Sequence, residues 1–117
     1  ITAEDVFNNV PTWLGFNSTS QAITGDGSTS SAIEITNPVT EVNATSAAAP
    51  CTLADGANGQ IKTIINVSTS GTNAVTITPS NFRGGTSITL NAPGETVTLM
   101  FKNSNWNIIA GHDFAVA

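Results

Sequence analysis

The sequence predicts an all-β protein, a small antiparallel β-sandwich or jelly-roll-like domain, and two observations carry this prediction. Short runs rich in Thr, Val and Ile alternate apolar with polar residues, which is the period of a strand with one buried face. Clusters of Gly, Asn, Asp and Pro interrupt these runs about every ten residues, a spacing typical of sandwiches and small barrels. In the clearest unit, GETVTLMFKNSNWNII (94–109), two alternating runs flank a turn at Asn103, Ser104 and Asn105. This unit predicts a β-hairpin.

The remaining strands follow from the same alternation. Threonines are expected on the outward faces, because a branched Cβ packs well on a pleated surface while its hydroxyl stays hydrated. The predicted strands are 32–36, 39–45, 60–67, 74–78, 87–90, 96–102 and 106–110. The side chains predicted to point into the core are Ile61 with Ile65 and Val67, Val75 with Ile77, Ile88 with Leu90, and Trp106 with Ile108.

The first part of the chain has a different character. Residues 1–31 are predicted to form an N-terminal arm and a flexible Ser/Thr/Gly-rich hinge, and residues 32–117 a β-sandwich domain. The arm carries an apolar cluster outside the strand pattern: Phe7, Trp13, Leu14 and Phe16. Either the core of the domain or a partner is expected to bury this cluster.

Composition excludes several classes of function. The chain has 117 residues, enough for one domain, and only 9% of them are charged. Three cations and a net charge of −5 argue against nucleic-acid binding, because a protein that neutralises phosphates needs a basic surface. No apolar run approaches the roughly 20 residues that span a bilayer, so membrane insertion is not expected. A single cysteine, Cys51, allows no internal disulfide and is expected in the core.

Residue types suited to catalysis are sparse. The only histidine, His112, adjoins Asp113, and neighbours on a strand face opposite sides, so a nucleophilic triad is not predicted. Glu34 and Glu41 flank a turn, but nothing else indicates the cleft that a glycosidase needs. The segment ADGANG (54–59) lacks the alternating acidic ligands of a calcium loop and is interpreted as a tight turn. No catalytic residue, cofactor or metal is therefore predicted, and the protein is not expected to be an enzyme.

Residues 32–110 resemble a module of virion proteins from tailed bacteriophages, especially marine and cyanobacterial ones. The similar segments are TLADGANGQIKTIINVST (52–69), AVTITPSNFRGGTSITLNAPGETVTLMF (74–101) and NWNIIAG (105–111). The resemblance implies a non-catalytic and usually trimeric component of the particle, found in capsid decoration proteins and in tail or head fibres. Within the shared motifs, Asp55, Gly56, Gly59 and Trp106 are interpreted as turn and core residues.

These observations lead to a specific functional prediction. We expect a homotrimeric capsid decoration (cement) protein on the capsid exterior, with the major capsid protein and other copies of itself as partners. Phe7, Trp13, Leu14 and Phe16 are the predicted contacts to the capsid or within the oligomer. The alternative is a tail or head fibre module that binds a host receptor or glycan, and a capsule-degrading enzyme comes third.

Overall fold

The computed structural model describes residues 20–70 and 73–117, and ten strands form two facing sheets. Sheet 1 has the order β1-β3-β5-β8-β9, and sheet 2 has the order β10-β7-β6-β4-β2. The strands are β1 (Gln21–Gly25), β2 (Ser31–Ile33), β3 (Val39–Ala44), β4 (Ala49–Leu53), β5 (Ile61–Asn66), β6 (Val75–Pro79), β7 (Ile88–Leu90), β8 (Thr96–Lys102), β9 (Asn105–His112) and β10 (Ala115–Val116). The predicted all-β sandwich is confirmed.

The sheets are mixed, however, and not antiparallel as expected. From β1 to β6 the chain alternates between the two sheets, and each strand from β3 onwards pairs in parallel with the strand two before it. The first six strands therefore make three turns of a flattened coil. Strands β7 to β10 then add antiparallel pairs to both sheets and complete the sandwich. The coil leaves β1 and β2 as edge strands at one end, and β9 and β10 are the edges at the other.

The predicted hairpin is confirmed as β8 and β9. Lys102 pairs with Asn105, so the loop contains only Asn103 and Ser104, which have φ values of 52° and 62°. Two positive φ angles define a type I′ turn, whose twist matches that of the flanking strands. Val97, Leu99 and Phe101 all point inward, as the alternation predicts.

Two predictions about the first half of the chain are wrong. Residues 21–25 were expected in a flexible hinge, but they form β1 and pair with β3, so the folded domain extends upstream of residue 32. In β5 the expected inward face was Ile61 with Ile65. The buried residues there are instead Lys62, Ile64 and Asn66. The other predicted inward residues of β6 and β7 are buried as expected.

The hydrophobic core lies between the two sheets, and Trp106 forms a hydrogen bond at its boundary. Trp106 is its largest buried side chain, donates its indole N–H to the Ala54 carbonyl at 2.9 Å and packs edge-on against Phe101. Gly56 lies against the Trp106 ring, where a Cβ would come within 3.0 Å of two ring carbons. The Asp-Gly turn before β5 therefore packs directly on the tryptophan of β9. Cys51 is buried, as predicted.

Candidate interaction surfaces

The predicted contact residues Phe7, Trp13, Leu14 and Phe16 lie outside the described residues. Ser20 is the first residue described, and it directly precedes the edge strand β1. Its hydroxyl lies 3.3 Å from an Oε2 oxygen of Glu41 on the adjacent strand β3. The N-terminal segment therefore joins the folded domain at the β1 edge of sheet 1.

The residues considered for catalysis are not assembled into a site. The Nε2 atom of His112 lies 3.4 Å from Oδ2 of Asp113, and both side chains are mostly exposed. Glu34 accepts a hydrogen bond from the Asn37 side chain at 2.9 Å, whereas Glu41 has Ser20 as its partner. Glu34 and Glu41 therefore have different hydrogen-bond partners and do not form the carboxylate pair that glycoside hydrolysis needs. Within residues 20–70 and 73–117, no group of three His, Cys, Asp or Glu side chains is placed to hold a metal ion.

The outer face of sheet 2 is a flat surface of hydroxyls and small side chains. The strand register places two rows across it, and neither row contains a charged residue. The rows are Ala32–Thr52–Thr78 and Pro50–Thr76–Thr89–Ala115. Such a face stays hydrated in an isolated copy.

The outer face of sheet 1 is much more apolar. Ile61 is 36% exposed and Ile109 is 50% exposed, although both are large aliphatic residues. Half-buried Met100 on β8 pairs with Ile61 and lies between β5 and β9. Two further half-buried aliphatic residues, Val39 and Ile65, lie on β3 and β5, where their register partners include Thr63 and Glu41. A cluster of exposed aliphatic side chains on one sheet, facing away from the core, is typical of an interaction surface.

A groove of about 230 Å³ lies at the β9 end of this apolar face. It forms because the segment after β6 runs alongside β9: the Trp106 N–H donates to the Asn81 carbonyl at 2.9 Å, and the Arg83 N–H donates to the Trp106 carbonyl at 3.0 Å. The hairpin turn closes the other side. The residues that line the groove are Arg83, Met100, Lys102, Asn103, Asn107 and Ile109.

The charge of the groove contrasts with that of the whole chain. Arg83 and Lys102 are two of only three cations in a protein of net charge −5, and the third, Lys62, is fully buried. Among the described residues, the one contact between a basic side chain and a carboxylate within 4 Å is that of His112 with Asp113, so neither groove cation has a carboxylate partner there. The accessible positive charge of the folded part is therefore concentrated at this groove.

The third cation occupies an unusual place in the core. The Lys62 ammonium donates to the Asn37 carbonyl at 2.6 Å and is completely inaccessible to solvent. Burial lowers the pKa of Lys62 from 10.5 to about 8, and the nearby Glu34 carboxylate offsets part of this shift. Together with Gln21 and Gln60, Lys62 holds the loop between β2 and β3 through contacts to its backbone. This arrangement indicates a structural role.

Sequence reasoning missed both the groove and the buried lysine. Arg83 and Lys102 lie on different turns of the chain, and only the strand order of sheet 1 and the path after β6 bring them together. The available signal was the scarcity of cations, since the acidic chain contains only three, but the sequence does not show that Lys62 is buried while Arg83 and Lys102 are exposed. No known family model matches the chain, and no curated protein matches it. None of the described residues belongs to a helix that could span a bilayer.

Proposed function

We propose that this protein is a homotrimeric capsid decoration protein of a tailed bacteriophage, located on the capsid exterior. The resemblance of residues 32–110 to phage virion modules supports the class of protein. The structural observation that carries the proposal is the apolar outer face of sheet 1, on which Ile61 and Ile109 are exposed. Copies of the chain bury the part of this face around Ile61 against one another, whereas Ile109 lies in the groove at the β9 end and the hydroxyl-rich face of sheet 2 remains in water.

Attachment to the major capsid protein is assigned to the N-terminal segment. Its apolar side chains, Phe7, Trp13, Leu14 and Phe16, are suited to anchoring, because burial of one such side chain contributes about 1.5–3 kcal/mol. A protein that binds only the assembled shell stabilises it by RT ln(1 + [L]/Kd) for each site. Three linked segments in one trimer raise the effective affinity further, since each bound segment holds the others close to the lattice.

Binding to purified capsids that lack the protein tests this proposal. Deletion of residues 1–19 is expected to abolish capsid binding while leaving the oligomer and its β-sheet circular dichroism unchanged. Ile61→Asp is expected to weaken self-association about tenfold or more per contact, measured by light scattering, because it places a charge in the buried face. Thr52→Asp, on the outer face of sheet 2, is the matched control and should leave the trimer intact.

Two results would contradict the proposal. If the truncated protein still binds capsids fully, attachment does not depend on the N-terminal segment. If the wild-type protein is monomeric at micromolar concentration, the outer face of sheet 1 does not mediate self-association. Copy number separates decoration from the fibre alternative, because a decoration protein covers the whole shell, whereas fibre proteins occupy the tail or a few positions on the head.

A further inference from the structure

We propose that the groove beside β9 is a docking site for the acidic segment Glu4–Val6 of the chain's own N-terminal region, from the same copy or a neighbouring one. This inference goes beyond the proposed function, because it assigns a binding partner to a groove that capsid attachment does not use. It rests on charge, on the part of the β9 edge that follows Trp106 and on the length of the connecting chain.

Charge complementarity is the first argument. The groove presents Arg83 and Lys102, and no described carboxylate pairs with either of them. The chain has eight acidic residues, and the two outside the described part are Glu4 and Asp5, which are adjacent in sequence. Two adjacent carboxylates suit two cations on one small groove, because a guanidinium and an ammonium each form charge-assisted hydrogen bonds to carboxylate oxygens.

The shape and lining of the groove favour an extended peptide. Besides the two cations, Met100 and Ile109 supply apolar surface, which suits the Val6 side chain that follows the acidic pair. No aromatic ring lines the groove among the described residues. This lining offers little to a sugar ring and more to a short amphipathic peptide.

The backbone of β9 supplies the third feature. The N–H and carbonyl of Trp106 point to the outer edge of sheet 1, where they bond Asn81 and Arg83. Ile108 lies two residues further on along this edge, in regular register with Trp106, and a β-bulge follows it at Ile109. No described residue outside the sheet pairs with Ile108 there. An extended segment that adds to this edge gains main-chain hydrogen bonds, which is the basis of recognition by β-strand addition.

The connecting chain is long enough for this docking. Ser20 adjoins β1, at the opposite edge of the five-stranded sheet 1 from β9. Four strand spacings of about 4.8 Å separate these edges, so the distance across the sheet is about 19 Å. Thirteen residues from Phe7 to Ser20 extend to about 43 Å at 3.3 Å per residue. The segment therefore reaches the groove of its own copy and also that of an adjacent copy.

Carbodiimide cross-linking of the full chain tests the proposal directly. This reagent joins a carboxylate to an amine in contact with it, and Lys102 is the exposed lysine of the folded part, since Lys62 is buried. Peptide mass spectrometry is expected to find Lys102 joined to Glu4 or Asp5. The double variant Glu4→Gln, Asp5→Asn should remove this product, whereas the matched double variant Asp26→Asn, Glu95→Gln, whose residues do not line the groove, should leave it unchanged. A mixture of light and heavy isotope-labelled protein shows whether the two residues come from one copy.

Arg83→Gln extends the test to the second cation. It should lower the yield of the Lys102 product about three- to tenfold at low salt, in line with the modest energy of an exposed ion pair. The yield in the wild-type protein should also fall as sodium chloride is added, because salt screens exposed charges.

NMR spectroscopy provides a second test, because the Lys102 amine and the Glu4 or Asp5 carboxylate can be in contact in an orientation that does not allow cross-linking. In the full chain, Glu4→Gln, Asp5→Asn should shift the amide NMR signals of Ile108 and Ile109, and Asp26→Asn, Glu95→Gln should not. Unchanged signals together with no Lys102 product would overturn the proposal. Polygalacturonate provides a further comparison. If its addition shifts the groove signals of the wild-type protein, whereas the double variant alone leaves those signals unchanged, the groove is a saccharide site and the docking proposal is wrong. Capsid binding is measured separately, so failure of this inference leaves the proposed function intact.

Discussion

Lys62 provides a sharp test of how the core is built, because a buried ammonium makes stability depend on pH. The side chain is inaccessible to solvent, and its Nζ donates to the Asn37 carbonyl at 2.6 Å. Burial lowers the pKa of Lys62 from 10.5 to about 8, since removing the charged form from water is unfavourable, and Glu34 offsets only part of this effect. In the unfolded chain the same group returns to its ordinary pKa.

The sign follows from proton binding. Between pH 8 and 10.5 the unfolded chain keeps the Lys62 proton while the folded protein releases it, so the unfolded state binds more protons and stability rises with pH. The full gain is about 3 kcal/mol at 1.36 kcal/mol per pKa unit, and about 1 kcal/mol of it falls between pH 7 and pH 9. Below pH 7 both states are protonated, so the charged lysine destabilises the fold by this constant amount.

Urea denaturation at pH 7, 8, 9 and 10 measures the effect. The comparison is made in a Cys51→Ala background, because burial raises the pKa of the Cys51 thiol to about 11 and so gives an opposite slope above pH 9. Lys62→Met should abolish the rise in stability. At pH 7 its net effect should be small, since removal of the buried charge offsets the roughly 1–3 kcal/mol lost when the Asn37 carbonyl has no donor.

Lys102→Met, which removes an exposed lysine, is the control and should keep the wild-type slope. A wild-type protein whose free energy of unfolding is flat between pH 7 and 9, or a Lys62→Met protein that retains the rise, would refute this reasoning about the buried ammonium.

Two further substitutions test the ends of the core. Trp106→Phe should reduce the free energy of unfolding by about 2–4 kcal/mol, because it leaves the Ala54 carbonyl unpaired and a space beside Gly56; a loss below 1 kcal/mol in urea denaturation would contradict this packing. Asn66→Ala should cost at least about 3 kcal/mol, because the buried Asn66 amide donates to the Leu90 and Asn73 carbonyls and its oxygen accepts two bonds from Ser68. The exposed Asn91→Ala should cost much less, and equal losses for the two would argue against the buried network.

Local patterns predicted the hairpin well because everything that fixes it is close in sequence. The alternation of Val97, Leu99 and Phe101 selects the inward face, and a two-residue loop containing Asn tolerates positive φ. Strand β8 accordingly has the bounds that its pattern predicts, and β9 differs by only a few residues. The outward threonines were predicted for the same reason, since alternation alone places them.

The inward face of β5 could not be chosen in this way. The sequence IKTIIN (61–66) has isoleucines at 61, 64 and 65, so each face contains at least one of them. The structure buries the face with Lys62, Ile64 and Asn66, because distant carbonyls of Asn37 and Leu90 satisfy its polar groups. Polar residues are acceptable in a core once hydrogen-bonded, and those partners are not visible in a local pattern.

Strand β1 could not be predicted from local sequence for a different reason. The composition around Gln21–Gly25 is that of a linker, rich in Ser, Thr and Gly, and Ile23 is its single buried residue. What makes it a strand is parallel pairing with β3 in register over five residues. Parallel pairing between strands two apart in the chain leaves no turn signal, because the partner is reached through the opposite sheet. The predicted functional residues of the arm stay predictions, since they lie outside the described residues.

The coil topology connects the two proposals. It sets β1, where the N-terminal segment enters, and β9, where the groove lies, at opposite edges of the same sheet. A segment that docks in the groove of its own copy must therefore cross the apolar outer face of sheet 1, and it would compete with self-association through Ile61. A segment that docks in a neighbouring copy leaves that face free and adds a second contact to the trimer. The isotope-mixing experiment separates these cases: a cross-link between copies requires the trimer and should be lost in Ile61→Asp at low concentration, whereas a cross-link within one copy should persist in the monomer.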